Sequence, residues 1–75
     1  MASLADTIQL LDVVALTVDL PDRGLLRGQV GTVVETLGSG VFEIEFSDDR
    51  GQTYAQLALR GEQLMVLHYR PQRAA

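Results

Sequence analysis

The chain is 75 residues long, carries a net charge of −4 and has no cysteine, so it has room for one domain and for neither a disulfide nor a cysteine-held metal. A hydrophobic content of 47 % fits a globule rather than a disordered segment, and no apolar run approaches the roughly 20 residues a membrane helix needs. All six basic residues are arginine, against ten acids, a balance that disfavours nucleic acid and anionic membranes as partners and suits a basic protein.

The N-terminus lacks the basic start and apolar centre of a secretory signal, so a cytoplasmic location is expected. Ser3-Leu4-Ala5-Asp6 is a weak capping box, and Leu4, Ile8 and Leu11 repeat at helical spacing. Together they predict a short helical turn over 3–10, docked by that stripe. Residues 12–18, rich in Val and Thr, read as the first strand. Val14, Leu16 and Val18 point one way and Val13, Ala15 and Thr17 the other, so both faces are expected to be covered. Residues 19–24 are turn chemistry: Pro21 holds Leu20 extended, and Gly24 and Gly28 admit positive φ. Between those glycines lie Leu25 and Leu26, of which one is expected to pack inward.

Residues 30–37 form the second strand, where Gly31 predicts a bulge or sharp bend. Gly38-Ser39-Gly40 is a tight hairpin. Over 41–46, Phe42, Ile44 and Phe46 alternate with Glu43 and Glu45, which gives a strand with one core face and one wet face. Residues 47–51 supply Asp and Gly for a second hairpin turn. In the strand over 53–59, Ala55, Leu57 and Leu59 face in, while Tyr54 and Gln56 face out. A 3₁₀ connector over 60–63, a short last strand over 64–67 and a polar, mobile tail over 68–75 complete the chain. The sum is an all-β fold: a five-stranded SH3-like small barrel in a single domain, with its core over about 8–67 and a short N-terminal helical turn. An OB-type barrel would need a helix between strands three and four, and no helix signal lies there.

Leu11 to Leu16, Asp19-Leu20-Pro21, Gly24-Leu25, Gly28 to Val34, Phe42 to Phe46 and Glu62-Gln63-Leu64 stand in an order and spacing that resembles the domain-of-unknown-function family DUF4926, made of short, mostly bacterial proteins. The resemblance covers about 8–67. It implies an SH3-like fold and roles such as an accessory or antitoxin-like small protein. The Gly-x-Val-Gly-x-Val core at 28–33 also resembles the KOW motif of ribosomal and transcription proteins. With the later Phe and Glu-x-Leu, it is similar to SH3-like subunits of photosynthetic electron-transfer complexes, and the loop over 20–28 resembles nitrile hydratase beta chains.

Catalytic chemistry has little to stand on. His68 is the only histidine and lies in the tail beside Tyr69 and Arg70, with no acid–base pair around it. Ser3, Ser39 and Ser47 fall at a cap or in turns, without a base. Glu43, Glu45, Asp48 and Asp49 match no calcium loop and read as a solvated face and a turn. Gly24, Gly28 and Gly31 are followed by no Lys-Ser/Thr pair, so they make no phosphate loop. No enzyme activity, cofactor or metal is therefore expected. An RNA surface would draw on Arg27, Arg50 and Arg60 with Tyr54, but Glu35, Glu43 and Glu45 oppose a basic stripe.

Protein recognition remains. Leu20, Leu25, Leu26 and Tyr54 would make an apolar spot rimmed by Asp19, Asp22 and Arg23; the plainer reading is that two of the leucines plug the barrel end. The expected function is a non-catalytic protein-binding or accessory module, antitoxin-like or a complex subunit, with an unidentified protein partner. The alternatives are an RNA- or ribosome-associated KOW-type module and a homo-oligomer joined through the open edge of the first or last strand.

Overall fold

The alternation of Phe42, Ile44 and Phe46 with the two glutamates builds β3, Val41–Ser47, which is flanked by β2, Val30–Gly38, and β4, Thr53–Arg60. The computed structural model describes residues 7–71. β1, Val13–Leu16, lies between β2 and β5, Leu64–Val66, so one antiparallel sheet runs β4-β3-β2-β1-β5. The all-β layout of five antiparallel strands is as expected. Closure into a barrel is not: β4 and β5 stand at opposite ends of the order and share no pairing, so the sheet stays open. Among the described residues the edges of the sheet are therefore β4 and β5, and the first strand lies inside it.

The core sits on one face. Cross-strand partners share a face, and the register sets Ile44 opposite Leu57, Phe46 opposite Ala55, and Gly31 opposite both Val14 and Phe46. Val14, Leu16, Leu25, Val33, Ile44, Phe46, Leu57, Leu59 and Leu64 close into one cluster there. β1 is buried on both sides, as its two apolar rows predict: Val14 and Leu16 join the core, and Ala15 is covered on the other face.

The expected bulge at Gly31 lies elsewhere. Val33 pairs with Ile44 and Glu35 with Glu43, which leaves Val34 without an opposite number. The extra residue switches the strand's parity, so Thr36 rather than Glu35 comes level with Phe42. This explains why Val33 and Val34 break the alternation. Gly31 meets the core by close approach instead, with ordinary negative φ.

Ser39 and Gly40 make the two-residue hairpin loop, both with positive φ as a type I′ turn requires. In the other hairpin, Asp48 Oδ1 accepts from the Arg50 and Gln52 amides, each at 2.9 Å. The 3₁₀ connector spans Gly61–Gln63.

Of the helical turn expected over 3–10, residues 3–6 lie outside the described residues and 7–10 are not helical. Gln9 to Asp12 form a turn: the Asp12 amide donates to the Gln9 carbonyl (3.1 Å), and the Gln9 amide donates to the Asp12 carboxylate (2.9 Å). Ile8 still packs against the core, but Leu11 sits at the turn's corner, 70 % exposed, with φ 72. A leucine there bears left-handed strain with no packing in return. Leu11→Gly is expected to raise stability by about 0.5 to 1 kcal/mol, read as a higher denaturant midpoint; a lower midpoint would show that this leucine contributes to the fold. Of the expected tail, 68–71 are exposed and 72–75 lie outside the described residues.

Candidate functional site

The first loop is pinned at several points. The Leu20 amide donates to the Leu25 carbonyl (2.8 Å) and the Leu25 amide to the Leu20 carbonyl (3.1 Å), so the two residues form an isolated bridge around a 3₁₀ turn, Pro21–Arg23. The Asp19 carboxylate accepts from the Arg27 amide (2.8 Å), and the Gly28 amide donates to the Leu16 carbonyl (2.8 Å). Gly24 and Gly28 hold φ of 69 and 93, the conformations this path needs.

That bridge decides the two leucines. Leu25 is 1 % exposed and belongs to the core, so it is removed from the predicted docking surface. Leu20 is half-buried and packs against the core. Leu26 is 62 % exposed, and Asp22 and Arg23 are exposed on the 3₁₀ turn. Leu20 and Leu25 thus pack inward, although the sheet forms no closed barrel whose end they could plug.

Gln29 joins the loop to β4. Its Oε1 accepts from the Leu26 amide, and its Nε2 donates to the Tyr54 hydroxyl (3.1 Å). Tyr54 reaches it because of a further register shift: Ser47 pairs with Thr53 and Phe46 with Ala55, so Tyr54 is the unopposed residue. Its ring then lies 6.3 Å from that of Phe46 rather than following the strict outward alternation. One amide side chain thus links the Leu26 backbone to the Tyr54 hydroxyl, and both residues are exposed, Tyr54 to 49 %. Gln29 is the residue that sequence reasoning missed; a lone glutamine after a glycine carries no signal until loop and strand are brought together.

The family model for the domain of unknown function DUF4926 matches residues 10–66, a stretch that includes all five strands. The chain belongs to this family. No curated protein and no solved structure matches it.

The DUF4926 domain presents two further surfaces. On the face away from the core, Val30 and Met65 flank Ala15 across β2, β1 and β5, and both are largely exposed. Along β5, a groove is lined by Ile8, Leu64, Met65, Val66 and His68. Among the described residues, no group of three His, Asp or Glu side chains is placed to hold a metal ion. Among the same residues, no helix is long and apolar enough to cross a membrane.

Proposed function

We propose that this DUF4926 domain is a non-catalytic, protein-binding module of the cytoplasm that docks a partner through Leu26 and Tyr54. The observation that supports it is Gln29, which bonds both the Leu26 backbone and the Tyr54 hydroxyl and so ties the loop at Leu26 to the exposed Tyr54 ring. Single exposed apolar residues are ordinary on any surface. A pair anchored across loop and strand presents a preorganised patch, with less ordering cost on binding. Asp22 and Arg23 at the adjacent 3₁₀ turn would form its polar rim.

The test is capture from the native cell on the tagged chain, read by mass spectrometry, beside Leu26→Asp. The parent is expected to retain a protein in stoichiometric amount, and Leu26→Asp to lose it while melting as the parent does. Equal capture by the folded variant removes Leu26 from the site. Capture of ribosomal proteins and RNA alone, released by salt, would replace this reading with the RNA-associated one.

A further inference from the structure

β4 has β3 on one side and, among the described residues, no hydrogen-bonded strand on the other. Edge strands are commonly guarded by charge, proline or brevity. β4 runs eight residues and carries no charge or proline before Arg60.

The direction of its backbone groups follows from two hydrogen bonds. The Gly61 amide donates to the Gly40 carbonyl (2.9 Å), toward β3. The Arg60 amide points the other way and is capped by Gln63 Oε1 (2.9 Å). By alternation, Leu59 and Leu57 turn their amides and carbonyls to β3, while Ala58 and Gln56 turn theirs outward. Gln56 and Ala58 thus offer four backbone groups in the geometry of a ladder, bounded at one end by the capped Arg60 and at the other by the register shift at Tyr54.

The chemistry beside that edge is acidic. Glu43 is directly opposite Ala58 on one side and Glu35 on the other, and Glu45 is opposite Gln56. Like charges directly opposite are unfavourable in a sheet. The Glu43 carboxylate accepts from Gln56 Nε2 (3.2 Å). Between it and the open edge stand the methyl group of Ala58 and the Gln56 amide that bonds it. Arg60, the basic residue that ends the strand, is turned to Glu62 at 3.5 Å.

We propose that the edge of β4 at Gln56 and Ala58 takes up an extended, basic segment of a partner protein as an added strand, with a lysine or arginine opposite Ala58 reaching across it to Glu43. Main-chain bonds to Gln56 and Ala58 hold the segment, and the carboxylates select its charge. A second copy of this chain is the poorer occupant. Two-fold pairing of β4 with itself about Leu57 sets Gln56 against Ala58, brings no cation to Glu43, and joins two acidic faces. The proposal rests on the protein-binding reading and names the partner's chemistry; Tyr54 stands at the start of the same strand.

The test is an NMR titration of the full chain with an eight-residue peptide alternating lysine and valine, beside its twin alternating glutamate and valine. In the free protein, the Gln56 and Ala58 amides are expected to exchange rapidly. The lysine peptide is expected to shift those two amides most and to slow their exchange, while the glutamate peptide leaves them unmoved. Ala58→Pro removes only an outward N–H and no bond to β3, so it is expected to fold and to weaken binding more than tenfold. Glu43→Gln is expected to weaken binding about fivefold and to flatten its salt dependence. Slow exchange at both amides in the free chain, or a dimer that Ala58→Pro converts to monomer, would show the edge already occupied and overturn the proposal. Binding of the lysine peptide that folded Ala58→Pro leaves unchanged would overturn the edge alone and leave the Leu26–Tyr54 patch standing.

Discussion

Gly31→Ala is expected to cost about 3 kcal/mol, the upper end of what overpacking a core usually costs, and Gly31→Val more. A Cβ at this position would lie 2.7 Å from Ile44 Cγ2, 2.9 Å from the Glu45 carbonyl oxygen and 3.1 Å from Phe46 Cδ2. Favourable carbon contacts begin near 3.5 Å. None of the three neighbours can give way easily. Ile44 and Phe46 are fully buried, and the Glu45 oxygen is backbone of the paired strand. A chain of this length has roughly 4 to 11 kcal/mol of stability in all, so one methyl group would remove a large part of it. Gly28 is the contrast. A Cβ there meets nothing within 4 Å, but φ is +93, so Gly28→Ala would act through the backbone alone, by about 1 to 2 kcal/mol. Denaturant melts of the two variants read both effects. A Gly31→Ala protein within 0.5 kcal/mol of the parent would mean that β2 and β3 can separate there, contrary to the packing described.

Leu25→Asp is expected to leave the chain unfolded, and Leu26→Asp to leave its stability within about 0.5 kcal/mol of the parent. The two side chains are adjacent, yet one is 1 % exposed and the other 62 %. A carboxylate at Leu25 would enter a cluster of Leu, Val, Ile and Phe, and among the described residues no charged side chain is buried to pair with it; burial of an unpaired charge is among the costliest changes a core can suffer. The milder Leu25→Ala is expected to cost about 2 to 5 kcal/mol through the cavity it opens. Far-ultraviolet circular dichroism with thermal melting distinguishes the cases. A folded, cooperative Leu25→Asp would mean that the Leu20–Leu25 bridge opens readily and that the first loop can expose both leucines. A double aspartate variant would report on folding rather than docking, which is why the capture experiment uses Leu26→Asp by itself.

The strands were legible because each depends on local alternation. Phe42-Glu43-Ile44-Glu45-Phe46 has the period of a half-buried strand, and its two sides appear as predicted. Turn chemistry placed the two hairpins for a similar reason, since Ser39-Gly40 and Asp48 satisfy their own backbone within a few residues. The 3₁₀ connector and the double burial of β1 were also within reach of the pattern.

The candidate site was legible only in part. Leu26, Tyr54, Asp22 and Arg23 are surface residues near the predicted place, but Leu25 is core and Gln29 carries the connection. Leu-Leu has no local feature that says which residue turns inward; the hydrogen bonds that lay the loop against β1, together with the short bridge from Leu20 to Leu25, decide it. The register shifts at Val34, at Leu37 and at Tyr54 arise because two strands of unequal path must stay paired, and register is a property of pairs. The same holds for the open edge. Alternation and turn residues determine how many strands there are and which faces are apolar, since those depend on neighbours in the chain. Whether β4 and β5 meet, where Gly31 touches β3 and what stands beside Ala58 were decided by contacts between distant segments, which only the folded sheet brings together.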